Sequence, residues 1–250
     1  MNKYFIQVKI YTRYFFRVAY DNKIVFIYSA FFPIVMLIIQ ARQLMFQPIS
    51  TLDFNRYVLP WISWLIFSDI IFSVMDIAVL REQGYFKQYY SLVTNKSVFI
   101  VSKIIVNLVI LSLTMLATSI VCSLLFQMGF AVILLKLMEL ILISFIPLVS
   151  ICLPLIAMPI KQKTIPVLVN LIMVLLLVIS TLLITLYNLK VTNIFMNIID
   201  PVFFISDVFA FLTHTIGYAP FLLTYTIVFV ITILIGLFSY KKMLILPVER

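Results

Sequence analysis

Glycine is scarce, four in 250 residues, and that scarcity excludes the glycine-rich loops with which a backbone wraps a nucleotide phosphate. The chain has no Gly-x-x-x-x-Gly-Lys loop, no Gly-x-Ser-x-Gly elbow and no His-Glu-x-x-His run. Neither ATP hydrolysis nor serine- or metal-dependent hydrolysis has its residues here. Histidine occurs once, at His214, far in sequence from any pair of glutamates, and reads as a surface residue. The two cysteines, Cys122 and Cys152, both lie inside apolar runs. They read as inert buried thiols, not as a disulfide framework or a metal cluster. Charge is scarce too, with 11% of residues Asp, Glu, Lys or Arg against 64% hydrophobic and a mean hydropathy of +1.20. A soluble domain carries roughly 25% charged and about 45–50% apolar residues, so this chain belongs in a membrane.

What is present is a series of apolar runs at about 24–41, 58–80, 98–126, 130–158, 164–187 and 219–240. A helical crossing takes about 20 apolar residues. The runs therefore predict one all-α integral membrane domain of six transmembrane helices, with no segment left for a separate soluble catalytic domain. Only Gln127, Met128 and Gly129 separate the third and fourth runs, which predicts a tight hairpin whose turn Gly129 provides at positive φ. Pro147, Pro154, Pro159 and Pro166 are expected to kink or end helices around the fourth run and the start of the fifth, and Pro33 to bend the first. Residues 1–23 interleave charge and aromatics where a signal peptide would have a compact apolar core. At helical spacing Tyr4, Val8, Tyr11, Phe15 and Val18 share one face, and Lys9, Arg13 and Arg17 the opposite one. That is the pattern of an interfacial helix with its apolar face at the acyl boundary and its cations at anionic headgroups.

Eighteen Lys and Arg against nine Asp and Glu leave a net charge of +9. In a soluble protein such a balance would suggest nucleic acid, but in a membrane chain cations first report topology, because they concentrate in cytoplasmic loops. With the amino terminus in the cytoplasm, fourteen cations fall inside and only Arg42, Arg56, Lys136 and Lys190 outside. Both termini are thus expected in the cytoplasm, and no nucleic-acid partner is expected. The two halves of the chain share neither a repeat nor a charge pattern, unlike the paired halves usual in secondary transporters.

Ionisable groups inside apolar runs cost about 2.5–3.5 kcal/mol each on insertion scales, so Asp69, Asp76, Lys103, Lys136 and Glu139 need partners or water. Asp69, Ser73 and Asp76 form a stripe along one face of the second span, which should meet protein or a hydrated path. Asp76 and Lys103 lie at comparable depths in neighbouring spans, within reach of a salt bridge. Lys136 and Glu139, three residues apart, are expected to neutralise one another. Asp69 has no evident partner in the sequence, and a proton-coupled transporter would need such a group.

Between the second and third spans, residues 81–96 alternate polar and aromatic side chains, too polar to cross and too patterned for a slack loop. The stretch Arg81-Glu82-Gln83-Gly84 through Ser97, with Lys103 six residues on at the start of a span, resembles the cytoplasmic loop of ABC-2-type permeases, the membrane subunits of ATP-binding-cassette exporters. In that family the loop opens on an Arg/Glu-Glu-x-Gly-Thr-Leu-like stretch, closes on a Thr-Pro-like one, and forms a coupling helix that docks in a cleft of the ATPase. Tyr85-Phe86 stand here where the family often has Thr-Leu, and Asn95 where it often has Pro. The resemblance implies a coupling role for Arg81, Glu82, Gln83, Gly84, Tyr85, Phe86, Lys87, Tyr89 and Tyr90. It extends over nearly the whole chain: an amino-terminal interfacial helix, six spans, and an external segment before the last span that re-enters the membrane. Residues 188–218 suit that segment, with Asp200 and Pro201 interrupting an apolar run that holds Phe203 and Phe204.

The resemblance implies a permease subunit working with a second permease, the same or homologous, and with cytoplasmic ATPase chains that bind ATP and Mg, in a bacterial cell membrane whose lipid surrounds it. No cofactor is expected in this chain, and it is not expected to be an enzyme. Chains of about this length without a large external domain are similar to exporters of toxic amphipathic peptides, such as staphylococcal phenol-soluble modulin exporters and lantibiotic-immunity permeases. Two other readings stay open: a proton-coupled secondary transporter using Asp69, and a non-transporting sensor or immunity subunit for antimicrobial peptides.

Overall fold

The computed structural model describes residues 2–21, 23–85, 93, 95, 97–187 and 191–243, and among them every regular element is a helix. In chain order these are α1 (Asn2–Asp21) and α2 (Lys23–Gln40), a 3-10 turn at Arg42–Leu44, then α3 (Thr51–Glu82), α4 (Ser97–Phe126) and α5 (Phe130–Ala157). They are followed by α6 (Thr164–Tyr187), α7 (Ile194–Ile199), α8 (Pro201–Leu212) and α9 (Tyr218–Lys241). Four of them, α3, α4, α5 and α9, are long and apolar enough to cross a membrane. Helix α8 is shorter, at twelve residues. The chain is an all-α membrane protein.

Helix α3 is the hub. It touches α2, α4, α5, α6 and α8, and 67% of its apolar window is covered by protein, against 28% for α9. This is why apolar residues occur on every side of α3 apart from the stripe of Asp69, Ser73 and Asp76, as in a helix surrounded by other helices. It also begins earlier than its apolar run, because Ser50 caps its first turn by accepting from the Asp53 amide and a π turn at Phe54–Val58 carries the polar residues Asn55 and Arg56.

The turn between α4 and α5 departs from expectation. Gly129 has φ −61° as the N-cap of α5, and Gln127 takes the left-handed conformation at φ 51°. A side-chain anchor accounts for the difference: Gln127 Nε2 donates to the Phe46 carbonyl at 2.8 Å, while the Phe46 amide donates to Leu125 O. Pro33 and Pro147 lie inside α2 and α5. Helix α5 breaks at Leu153, directly before Pro154, and stops where Met158 turns extended before Pro159.

Helix α1 also differs from its predicted placement. The face holding Tyr4, Val8, Tyr11 and Phe15 lies on α4 instead of at an acyl boundary. Tyr11 and Phe99 meet edge to face at 4.7 Å, Ser102 Oγ donates to Val8 O at 3.1 Å, and Tyr4 and Ser97 hydroxyls are 3.1 Å apart. Val8 and Phe15 are buried. The outward surface combines the exposed cations Lys9, Arg13 and Arg17 with exposed Phe5, Ile6, Ile10 and Tyr20. An apolar helical stripe satisfies the hydrophobic effect equally well on protein or on lipid, and here protein takes it.

Candidate functional site

The polar stripe of α3 faces α4, and α4 answers it with a stripe of its own. Lys103 Nζ donates to Asp76 Oδ2 at 2.7 Å, one helical level further Asn107 Nδ2 donates to the Asp69 carbonyl at 2.9 Å, and Thr114 Oγ1 reaches Asp69 Oδ2 at 3.5 Å. These rungs run in opposite directions along the two helices, as an antiparallel hairpin requires. The Lys103 side chain is 8% exposed and that of Asp76 44%, so the cation is enclosed by protein and its partner is open at the surface of the bundle. Lys103 also sits 5.5 Å from the centre of the Phe15 ring, which ties α1 to the same junction. Beside the ladder a cavity of about 10 Å³ is lined by Ser73, Lys103 and Asn107 together with aliphatic residues of α3, α4 and α5. That is room for about one water.

A half-exposed ion pair between two helices lies between the surface and buried limits. Exchanging Lys103→Met and Asp76→Asn singly and together should give a coupling energy of about 1–2 kcal/mol in a double-mutant cycle of unfolding. A coupling below about 0.3 kcal/mol would remove the pair as a tie between the helices.

At the end of the bundle where α3 stops, the Arg81-Glu82-Gln83-Gly84-Tyr85 stretch divides into an inward and an outward part. Arg81 is fully buried. Its Nε donates to Glu82 Oε1 at 2.8 Å, Nη1 to Ile156 O at 2.5 Å and Nη2 to Ile160 O at 3.4 Å. The last carbonyls of α5 lack amide donors because Met158 is extended and Pro159 has no N–H. Arg81 supplies what the backbone cannot, and its planar fork spans both carbonyls and the carboxylate at once. Gln83 and Tyr85 are exposed. Gly84 adopts φ +79° and its amide closes the helix on Arg81 O at 3.0 Å, the usual glycine solution at a helix C-terminus. Phe86, Lys87, Tyr89 and Tyr90 lie outside the described residues, as does most of the predicted 81–96 helix. Asn95 returns to the bundle and accepts from the Tyr240 hydroxyl at 3.0 Å.

The predicted segment before the last span is a helix, a break and a second helix. Asp200 ends α7 and caps α8 by accepting from the Val202 amide at 2.9 Å, with Pro201 at the first helical position, where its missing N–H costs nothing. Every residue from Pro201 to Ala210 is buried. Phe203 is covered completely, Phe204 stacks on Tyr225 at 6.1 Å, Phe209 on Phe54 at 5.3 Å and Phe211 on Phe221 at 4.0 Å.

Two groups were not singled out from the sequence. Asn107 and Thr114 share the helical face of Lys103, and the 103, 107, 114, 118 spacing on α4 is the signal that would have found them. Asp207, the one acid inside the apolar α8, is fully buried; its Oδ2 accepts from Asn197 Nδ2 at 3.3 Å, and its Oδ1 has no hydrogen-bond partner among the described residues. Lys136 and Glu139, expected to pair, form no ion pair, and His214 is exposed. Among the described residues no group of three His, Cys, Asp or Glu side chains gathers at metal-binding distance. No family model, no curated protein and no solved structure matches the chain.

Proposed function

We propose that this chain is the membrane subunit of an ATP-driven exporter of the ABC-2 type. Six spans lie in a bacterial cell membrane with both termini in the cytoplasm, and the chain works with a second permease and with cytoplasmic ATPase chains. The observation that carries the reading is the α3–α4 hairpin. Its helices are tied by Asp76–Lys103 and Asp69–Asn107 contacts, and its tip, residues 83–96, joins them on the side where Arg81 anchors α5. A force applied at that tip would move α3 and α4 as one body against the rest of the bundle. Fourteen cations on the proposed inner side against four outside support the orientation. Closure of ATP-loaded partner subunits would bias the hairpin between inward and outward arrangements, the differential binding that any driven two-state element requires.

In this reading Gln83, Gly84 and Tyr85, with Phe86, Lys87, Tyr89 and Tyr90, meet the ATPase, while Arg81 and Glu82 position them. Asp200, Pro201, Phe203 and Phe204 belong to a re-entrant segment that closes the outer end. The substrate class is an amphipathic, toxic peptide or a similar hydrophobic solute, since the bundle carries aromatic and aliphatic surface with few charges. Affinity capture of the full chain from native membranes, followed by mass spectrometry, should recover an ATP-binding-cassette ATPase. Recovery of the chain with no ATPase, alongside retained transport, would contradict the reading.

Asp69 keeps a second reading open, because it is a carboxyl only 6% exposed in the middle of a span. Asp69→Asn preserves the shape and the Thr114 contact. The exporter reading predicts ATP-driven transport within about twofold of the original, a change small on the scale of one lost hydrogen bond. A proton-coupled transporter would lose its activity altogether. A sensor subunit would bind peptide and move none.

A further inference from the structure

A groove of about 530 Å³ opens between the last turn of α5 and the end of α9. Its origin is local. Gly236 lets α9 approach α5 so closely that a Cβ there would lie 3.0 Å from Ser150 Cβ. Just beyond this contact α5 breaks at Leu153 and ends at Ala157, while α9 continues to Lys241. The difference in length leaves a trough walled by Pro154, Met158 and Pro159 on one side and by Leu234 and Phe238 on the other, with Lys242 at its mouth.

The walls are apolar and open to their surroundings: Leu234 is 61% and Phe238 59% exposed. Ser239 is the one uncharged polar side chain in the lining, and its hydroxyl is used internally, donating to Ile235 O at 2.8 Å. The mouth is basic. Lys242 Nζ lies 4.4 Å from the centre of the Phe238 ring. Lys241 is exposed beside it, and Lys161 and Lys163 are exposed on the strand of chain that leaves Pro159. No acidic residue occurs in 154–166 or in 218–243.

We propose that this groove is a binding site for an anionic phospholipid, one acyl chain lying along the trough and the phosphate held at Lys242. An apolar trough within the membrane calls for a hydrocarbon chain, and a basic pocket at the end of membrane helices is a recurrent anionic-headgroup site. A cationic amphipathic peptide would place like charge against the lysines, and a zwitterionic lipid would gain nothing from them. The site does not depend on the transport assignment, since it needs only the membrane and the two helix ends.

Native mass spectrometry of the full chain, incubated with equal amounts of phosphatidylglycerol and phosphatidylcholine, tests the proposal. The original chain should retain phosphatidylglycerol over phosphatidylcholine, and Lys242→Gln should cut that preference by about fivefold, the worth of one lysine near an anionic lipid. Met158→Trp, which fills the trough from a half-exposed position, should lower retention of both lipids without restoring parity between them. Equal retention of the two lipids by the original chain would overturn the proposal. So would a preference unchanged in Lys242→Gln, or displacement of lipid by a cationic amphipathic peptide at equal concentration.

Discussion

Arg81→Ala should lower the thermal midpoint of the purified chain by on the order of 10 °C, the largest single effect expected at any of these positions. The guanidinium is completely buried and serves three acceptors, one on α3, one on α5 and one on the chain just beyond α5. Its removal leaves Glu82, whose side chain is 1% exposed, without its guanidinium, and the Ile156 and Ile160 carbonyls without their donor. Breaking a buried ion pair by deleting one partner costs about 3–5 kcal/mol, because the remaining charge stays dry. Arg81→Lys should recover only part of the loss, since an ammonium cannot reach both carbonyls and the carboxylate in one geometry. Arg81→Met combined with Glu82→Gln should be milder than Arg81→Ala alone, as it removes the buried carboxylate charge as well. Intrinsic fluorescence during heating in detergent distinguishes these outcomes. A midpoint for Arg81→Ala within about 2 °C of the original would show that the latch is not structural.

Gly84→Pro should abolish co-purification of the ATPase while leaving the membrane body folded. Proline holds φ near −65° and has no N–H, so it can keep neither the +79° conformation nor the bond to Arg81 O, and the chain leaves α3 in another direction. Gly84→Ala separates the two causes. A Cβ at that position meets nothing within 4 Å, so only the left-handed conformation is penalised, by about 1–2 kcal/mol, and partner binding should weaken without vanishing. Because Gly84 is outside the buried core and lies between exposed Gln83 and Tyr85, the thermal midpoint should move by only a few degrees in either variant. Unchanged ATPase retention and unchanged transport in Gly84→Pro would place the docking surface elsewhere.

Much of the fold is legible in the sequence because apolar length alone determines where a helix can lie in a membrane. The runs at 98–126, 130–158 and 219–240 fall within two residues of α4, α5 and α9. Helix α3 is longer than its apolar run, since Thr51, Asp53, Asn55 and Arg56 look like loop, yet a serine cap and a π turn carry them into the helix. Direction was harder to read than position. The stripe Tyr4, Val8, Tyr11 and Phe15 has the spacing of a lipid-facing helix, but spacing cannot say whether lipid or α4 covers it.

The site divides along the same line. Asp76–Lys103 followed from depth in neighbouring spans, a local argument, and the ion pair forms. Asp69 finds Thr114, and Arg81 finds Ile156 and Ile160, through contacts 45 to 79 residues apart in sequence, where no motif pairs the partners. Gly129 was the obvious turn glycine, but Gln127 takes the left-handed position because its side chain is anchored on Phe46. Long-range partners decide these cases, and one-dimensional periodicity does not contain them.

The most direct test of the central claim is transport by inverted membrane vesicles, with the chain present alone and then together with its captured ATPase. The account predicts no ATP hydrolysis and no ATP-dependent uptake of an amphipathic peptide by the chain alone, and both when the ATPase is added. ATP hydrolysis by the purified chain, or uptake driven by a proton gradient without any ATPase, would contradict it.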